Sequence, residues 1–297
     1  MNYQFIQKKN IWLTISGILF VVALFALIVW GLKLGVDFTG GSSLEVKFLG
    51  QRPSNSAIED NLKDLKLGGL TVQPAGASDV ILRYQDSSKE THQEVLDRLK
   101  SLDKKGIDEL QYDAVGPSIG NELKQKSVYA IFWVLVAIII YISIAFRKVS
   151  KPVASWKYGL SALLAMFHDV IITVGVFAVL GKYLGIEIDV AFVAAVLTVL
   201  GYSVHDTIVV FDRIRENLPR SNEDFEGTVN TSLNQTLVRS LNTSLTVLLT
   251  LLAITIFGGA SIRNFALALT IGIFIGTYSS IFVASPLLVV WEKIGKK

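Results

Sequence analysis

Two adjacent pairs of ionisable residues, His168-Asp169 and His205-Asp206, lie inside long apolar stretches of the sequence. An ionisable side chain at membrane depth is costly, so residues of this type in that position mark candidate functional sites. The pairs are 37 residues apart along the chain. On neighbouring membrane helices their two carboxylates would lie at similar depth, so the sequence predicts one or two functional carboxylates within the membrane.

Three kinds of chemistry fit these pairs. Two His and two Asp could ligate a cation, although their spacing matches no ligand signature and the stretches carry no third type of ligand. Two Asp on neighbouring helices could share a proton and activate water, as in an intramembrane aspartyl protease. A buried carboxylate could instead load and release a proton, which would make it part of a proton relay. The structural alternative is that one or both carboxylates only pack against polar groups of neighbouring helices.

A polar stripe is the predicted partner of Asp206. It begins at Arg239 and recurs every three or four residues on one helix face, as Asn242, Thr243, Thr246 and Thr250. Polar groups that face lipid would be unpaired, so the stripe is predicted to point inward. The alternative for Arg239 is snorkelling to the headgroups. His205 points about 100° away from Asp206 on a helix, so it need not share the site.

Six apolar stretches are long enough to cross a membrane as helices, which takes about 17–25 residues. They are 11–32, 127–146, 160–180, 190–211, 241–257 and 264–290. Of the 28 Lys and Arg and the 25 Asp and Glu, only Asp169 and Asp206 fall inside these stretches. The predicted fold is therefore a polytopic α-helical membrane protein with six transmembrane helices. In the last stretch Gly272 and Gly276 follow Ala268 at every fourth position, which favours close helix packing.

The composition narrows the function classes. Charged residues make up 18% of the chain and the mean hydropathy is +0.50, whereas soluble domains carry about 25% charge. This deficit argues against a cytosolic enzyme, a disordered chain and a nucleic-acid-binding protein. The chain has no cysteine, which excludes disulfides, thiolate nucleophiles and Cys-ligated metals. No metal site and no cofactor are predicted.

Basic residues of the short loops predict the orientation of the chain. One side would hold Lys8, Lys9, Arg147, Lys148, Lys151, Lys157, Arg213, Arg215, Arg220, Arg239, Lys293, Lys296 and Lys297. The other short loops offer only Lys182 and Arg263. Both termini, 1–10 and 292–297, are therefore predicted to be cytoplasmic. The first transmembrane helix, 11–32, is followed by a domain at 33–126 on the far side. The remaining region, 127–291, would hold five helices with a cytoplasmic connector at 212–238.

The segment between the first two spans is predicted to be a small α+β domain. Leu44, Val46 and Phe48 alternate with polar residues, as in a half-buried strand. The sequence from Ser87 to Glu90 reads as a capping box that opens a helix. The patterns over the whole segment give the order β-α-β-β-α-β, which is the ferredoxin-like arrangement. His92 is predicted to be a solvated side chain, and the domain to be a binding or mechanical module.

Several strings closely resemble the signature of the SecF family, membrane components of the bacterial Sec protein-export system. They include Gly35-Val-Asp37-Phe-Thr-Gly40-Gly41, Val115-Gly116-Pro117-Ser-Ile-Gly120, His168-Asp169 and Gly201-Tyr-Ser-Val-His205-Asp206 continuing into Phe211-Asp-Arg-Ile-Arg-Glu-Asn217. The likeness covers essentially the whole chain.

The resemblance implies a multi-pass protein of the bacterial inner membrane, in the same broad class as proton-driven RND exporters. It implies that the chain is surrounded by membrane lipids and that its protein partners are SecD, the SecYEG channel and YajC. It also implies that the complex uses the proton-motive force to draw preproteins to the periplasmic side. The family's fourth-span Asp and fifth-span Arg fall on Asp206 and Arg239, with Asp169 and His205 as further relay candidates. The family often has Asn or another polar residue where this chain has His205. A small-molecule antiporter of RND type and a scaffold that only stabilises the channel are the remaining alternatives.

Overall fold

The chain divides into a membrane unit, Met1–Lys33 with Tyr129–Lys297, and a small α/β unit, Leu34–Val128. The computed structural model describes residues 3–146 and 153–294, the side chains of 260 and 261 excepted. Five of the basic residues used to predict orientation lie outside those ranges. They are Arg147, Lys148, Lys151, Lys296 and Lys297.

The membrane unit is built from long helices. Their bounds are α1 Lys9–Trp30, α5 Pro117–Ala145, α6 Ser155–Leu184, α7 Val190–Asn217, α8 Phe225–Phe257, α9 Ala260–Ser279 and α10 Ser285–Ile294. A π-helical turn, Ser280–Ala284, joins α9 to α10. Within the described ranges, six helical segments are long and apolar enough to cross a membrane. Each of the six predicted spans coincides with one of these segments, and none extends more than two residues beyond it, which confirms that part of the predicted fold class.

Both ends of the predicted connector at 212–238 are helical. Helix α7 runs on to Asn217 and α8 starts at Phe225, so only 218–224 link them. Hydropathy marks the part of a helix that lies in hydrocarbon, about 30 Å thick. The 33 residues of α8 span about 50 Å at 1.5 Å per residue. The helix therefore extends well beyond its apolar stretch, with polar residues on the extension.

Small residues let the membrane helices approach closely. A Cβ added at Gly175 of α6 would lie 2.6 Å from both the Cβ and the carbonyl oxygen of Ala23 on α1. At Gly276 of α9 it would lie 3.0 Å from the Cβ of Ser203 on α7, and at Gly272 it would run into Val199. These glycines hold α9 against the face of α7 that carries the candidate site.

The small unit is a four-stranded antiparallel sheet with helices. Its elements are α2 Val36–Thr39, β1 Gly41–Phe48, α3 Asn55–Leu62, β2 Thr71–Pro74, β3 Asp79–Tyr84, α4 Lys89–Leu102 and β4 Ile107–Val115. The strand order is β2-β3-β1-β4, and every neighbouring pair is antiparallel. From β1 onward this is the predicted β-α-β-β-α-β order. The N-cap of α4 is Ser88, whose Oγ accepts from Thr91 N, one residue later than predicted.

His92 is not the solvated side chain that the sequence predicted. Its side chain is 15% exposed and its Nε2 lies 3.4 Å from Glu109 Oε1. The ring stacks on Tyr112 of β4, with centroids 3.7 Å apart. His92 lies four and seven residues before Leu96 and Leu99, on the same face of α4. The face of α4 that packs on the sheet therefore includes His92 and begins one turn before the first of its aliphatic residues.

Two consecutive glycines, Gly40 and the first residue of β1, Gly41, have a backbone conformation that other residues rarely adopt. Their φ angles are +76° and +117°, and a Cβ at Gly41 would run into the carbonyl oxygen of Tyr84. We expect Gly41→Ala to lower the free energy of unfolding by about 1–3 kcal/mol. The matched control is Gly116→Ala, because nothing lies within 4 Å of a Cβ there. Thermal unfolding of the full chain checks this, and equal melting temperatures for the two variants would contradict it.

Asp86 gives the small unit a pH dependence. Its carboxylate accepts from Ser88 N and from Thr91 Oγ1, each at 2.8 Å. These hydrogen bonds, the backbone one first, hold the pKa of Asp86 below its ordinary value. The stabilisation is therefore present above the unfolded-state pKa and is lost as the pH falls through the lowered folded-state value.

We expect Asp86→Asn to weaken hydrogen-exchange protection of the α4 amides at pH 7, by about 0.5 kcal/mol after discounting for solvent exposure. Below the folded-state pKa the difference from the unmodified chain should disappear. Asp97→Asn is the control, since that carboxylate is exposed and, among the described residues, bonds to Gln93 and Lys100 of its own helix. A difference between Asp86→Asn and the unmodified chain that persists in acid would contradict this account.

Candidate functional site

The membrane unit buries Asp206 against two serine hydroxyls. Asp206 lies on α7 with 7% of its surface exposed. Its Oδ1 accepts from Ser240 Oγ of α8 at 2.6 Å, and its Oδ2 accepts from Ser280 Oγ at the start of the π-helical turn. The carboxylate is thus held by neutral hydroxyl donors from two other helical segments.

Asp169 has a parallel arrangement on α6 and is completely buried. Its Oδ2 accepts from Ser203 Oγ of α7 and from Ser279 Oγ of α9, each at 2.6 Å. Its Oδ1 lies 2.9 Å from Nδ1 of the neighbouring His168. The two carboxylates are therefore served by consecutive serines of one segment, Ser279 and Ser280.

The structure does not bring Arg239 into contact with Asp206. Arg239 is exposed on α8 and lines a cavity of about 450 Å³ between α7 and α8, together with Asp212, Arg213 and Glu216. In the described part of the chain, no ion pair joins it to either buried carboxylate. The predicted direct partner of Asp206 is thus replaced by Ser240, the next residue along α8.

The polar stripe of α8 also points the other way from the prediction. The side chains of Asn242, Thr243, Thr246 and Thr250 are all exposed on the chain. The threonine hydroxyls donate to carbonyls of their own helix, such as Thr243 Oγ1 to Arg239 O at 2.9 Å. A threonine can satisfy its hydroxyl in this way, so the stripe need not face inward.

The buried face of α8 carries Thr236, Ser240 and Ser244, four residues apart. This spacing is the sequence signal for the partner of Asp206, and a stripe aligned on Arg239 does not include it. The sequence prediction also does not include Ser203, Ser279 and Ser280. His205 is exposed, as its 100° offset from Asp206 implies.

The geometry separates the chemical alternatives for the two pairs. No group of three His, Cys, Asp or Glu that could hold a metal ion occurs in the ranges that the structure describes. Over the same ranges, no hydrogen bond joins Asp169 to Asp206, because each accepts from its own serines. A protease dyad needs two carboxylates that share one proton. The arrangement is instead two separate buried carboxylates, each held by its own serine hydroxyls.

A family model described as "Protein export membrane protein SecD/SecF, C-terminal" matches residues 94–294, and one described as "SecD/SecF GG Motif" matches residues 25–48. The protein translocase subunit SecF of Thermobaculum terrenum is 47% identical over 281 residues, covering 90% of this chain and 86% of that protein. The chain belongs to the SecF family. It is an auxiliary subunit of the Sec protein translocase and a multi-pass protein of the inner membrane.

Other SecF relatives extend over nearly the whole chain. The SecF subunit of Anaerolinea thermophila is 38% identical, covering 96% of this chain and 92% of that protein. The crystal structure of SecDF, a translocon-associated membrane protein from Thermus thermophilus, matches with a TM-score of 0.85 and 33% identity. That match covers 99% of this chain but only 39% of the SecDF chain.

The structure gives the SecF signature glycines a packing role within the small unit. Gly35 precedes the single turn of α2, which contains Asp37 and is followed by its C-cap, Gly40. A Cβ at Gly40 would lie 2.8 Å from the Cα of Pro117, which follows Gly116 and begins α5. A Cβ at Gly120 would lie 3.0 Å from the backbone nitrogen of Gly40. The two SecF strings therefore pack directly against each other.

Proposed function

We propose that this SecF-family chain uses the proton-motive force to promote preprotein translocation, with Asp206 as the residue that takes up and releases the proton. The observation that carries the proposal is a buried membrane carboxylate held by Ser240 and Ser280. Proton binding would neutralise the buried charge, and the protonated carboxyl group would no longer require hydrogen bonds from two hydroxyl donors. The segments that carry those serines, α8 and the π-helical turn, would then be free to repack.

The energy available for such a change is adequate. One elementary charge that crosses 100 mV supplies about 2.3 kcal/mol, which shifts a two-state equilibrium about 50-fold. Helices α1 and α5 are the covalent connections between the membrane unit and the small unit. Repacking in the membrane unit could therefore be transmitted to the small unit through these two helices.

We propose further that both termini are cytoplasmic and that the small unit is a ferredoxin-like periplasmic domain. The basic residues of the predicted cytoplasmic loops support this orientation. SecD is proposed as a partner, because the family models that match this chain are named for SecD and SecF and a matching solved structure is that of SecDF. SecYEG, YajC and the preprotein are proposed partners by resemblance to the family.

Preprotein release from sealed vesicles tests the function. Vesicles that contain the channel, SecD and this chain are loaded with a stalled preprotein, and release is followed with and without a proton gradient. We expect release to accelerate only with the gradient. A Na⁺ gradient applied alone should have no effect, and acceleration by Na⁺ would contradict the choice of coupling ion. Equal release in all conditions would indicate a scaffold and overturn the proposal.

A further inference from the structure

Asp169 is a buried carboxylate that the proposed function leaves without a task. It is completely buried, as are both serines at 2.6 Å from its Oδ2, Ser203 and Ser279. His168 is also buried, and its Nε2 is without a hydrogen-bond partner in the described structure. A closed polar cluster of this kind, with an unpartnered ring nitrogen, needs an explanation.

We propose that the His168–Asp169 pair binds a second proton, and that Ser279 and Ser280 couple its occupancy to that of Asp206. The proposal rests on the proposed function, in which Asp206 is the first proton site. It adds a second site and a physical connection between the two, so that the chain would carry two linked ion-binding events instead of one.

The donor set at Asp169 suits a proton. When His168 is neutral and Asp169 is charged, the buried pair carries one net negative charge. Uptake of one proton, with formation of an O–H bond on Asp169 or an N–H bond on His168, makes the pair neutral; no other bond is made or broken. The cluster supplies the carboxylate and two serine hydroxyls as oxygen groups, and its remaining polar side chain contributes an imidazole nitrogen, which is a poor ligand for Na⁺.

The residues of other helices that contact the pair in the described ranges are uncharged, so none of them neutralises its negative charge. Besides the two serines of α7 and α9, helix α1 contributes Phe20, whose ring stacks on His168 with centroids 6.5 Å apart. The other carboxylate served by the same segment is Asp206. In the described ranges, no Lys or Arg side chain bonds to Asp169.

Ser279 and Ser280 each have a second hydrogen-bond acceptor within reach, so each hydroxyl can switch from its carboxylate to a backbone carbonyl. Ser279 Oγ lies 3.1 Å from Gly276 O, and Ser280 Oγ lies 3.0 Å from Thr277 O. A hydroxyl that donates to a carboxylate can therefore turn to its own helix once that carboxylate is protonated. The new acid O–H can then donate to the serine oxygen, so neither the carboxyl group nor the serine hydroxyl is left unpaired.

The π-helical turn explains how neighbouring residues serve different helices. Consecutive residues of an α-helix point about 100° apart, so Ser279 reaches Asp169 on α6 while Ser280 reaches Asp206 on α7. The π-helical turn begins at Ser280, and turns of this kind often occur at functional sites. Because one peptide bond joins the two serines, a shift of this turn at one carboxylate moves the donor at the other.

Infrared difference spectroscopy of the full chain in lipid nanodiscs tests the proposal. The protonated-carboxyl band is followed through a pH titration, and Asp169→Asn and Asp206→Asn identify the two contributions. The coupling between the two sites is measured as the shift that Asp206→Asn causes in the pH midpoint of the Asp169 carboxyl band. We expect this shift to correspond to a change of at least about fivefold in the proton affinity of Asp169, the lower end of typical coupling between sites.

Two serine variants separate the coupling from proton binding itself. Ser203→Ala removes a donor from the same oxygen and should shift the Asp169 midpoint while the coupling is retained. Ser279→Ala should abolish the coupling. Ser285→Ala is the control, because in the described structure its buried hydroxyl donates to Ser280 O and to neither carboxylate; it should change neither quantity.

The proposal is overturned if Asp169→Asn removes no titrating band, or if Asp206→Asn leaves the Asp169 midpoint unchanged. If Ser279→Ala does not fold, this second comparison still decides the coupling. Failure of the proposed function would appear elsewhere, as preprotein release that ignores the proton gradient. The spectroscopic result is independent of that assay.

Discussion

Replacing Asp206 by Asn is expected to abolish the part of preprotein release that depends on the proton gradient. Asn has nearly the shape of Asp and keeps one oxygen that can accept from Ser240 or Ser280, so the local packing should survive. It cannot take up a proton near neutral pH. If Asp206 moves one charge through the membrane potential, its loss removes a bias of about 50-fold at 100 mV.

The measurement is the vesicle release assay, with proton entry followed by a pH-sensitive dye inside the vesicles. Both the gradient-dependent release and the proton entry should fall to the level of vesicles that lack this chain. Release without a gradient should match that of the unmodified chain. Full gradient-dependent release together with retained proton conductance would rule out Asp206 as the proton carrier.

Ser244→Ala is the matched control for Asp206→Asn. Ser244 lies one turn from Ser240 on the same buried face of α8, but its hydroxyl contacts Thr277 and Tyr202 instead of a carboxylate. It should reduce stability by about 1 kcal/mol, the usual contribution of one hydrogen bond. We expect its gradient-dependent release to remain close to that of the unmodified chain.

The features set by long-range patterning could be predicted from the sequence. Six apolar runs give six membrane helices, because a span must be continuous and apolar. The strand and helix patterns give the order of the small unit for a similar reason, since its two faces have different surroundings. The carboxylates at Asp169 and Asp206 stand out because charge is rare at that depth.

The partners of those carboxylates could not be predicted in the same way. Serine is common in membrane helices, and a buried serine differs from an exposed one only through the rotation of its helix. The π-helical turn at Ser280–Ala284 also changes the phase of the last span, so a regular 3.6-residue period does not describe which of its serines point inward. Arg239 was the conspicuous residue of α8, yet the less conspicuous Ser240 makes the contact.

Arg239→Gln is expected to reduce gradient-dependent release by about tenfold or more, although Arg239 does not touch Asp206. Arg239 precedes Ser240, whose hydroxyl donates to Asp206. The acidic residues of its cavity are already paired, Asp212 with Arg215 at 2.5 Å and Glu216 with Arg213 at 2.9 Å. The positive charge of Arg239 is therefore available to stabilise Asp206 when it loses its proton.

The expected size corresponds to a loss of about 1.4 kcal/mol or more, since each 1.4 kcal/mol is a factor of ten. An uncompensated positive charge near a buried carboxylate can supply an electrostatic stabilisation of that order. Arg239→Lys keeps the charge and should retain a large part of the activity. Salt should weaken the contribution of Arg239, because its side chain is exposed and its field is partly screened.

Arg213→Gln provides the control for Arg239→Gln. Arg213 lines the same cavity, but its guanidinium is paired with Glu216 on its own helix. Its loss should leave gradient-dependent release within about twofold, because exposed pairs contribute at most about 1 kcal/mol. A severe defect in Arg213→Gln with normal release in Arg239→Gln would mean that Arg213, and not Arg239, is the basic residue of the cavity that acts on Asp206. Equal, mild defects in both would mean that no single charge in the cavity acts on Asp206.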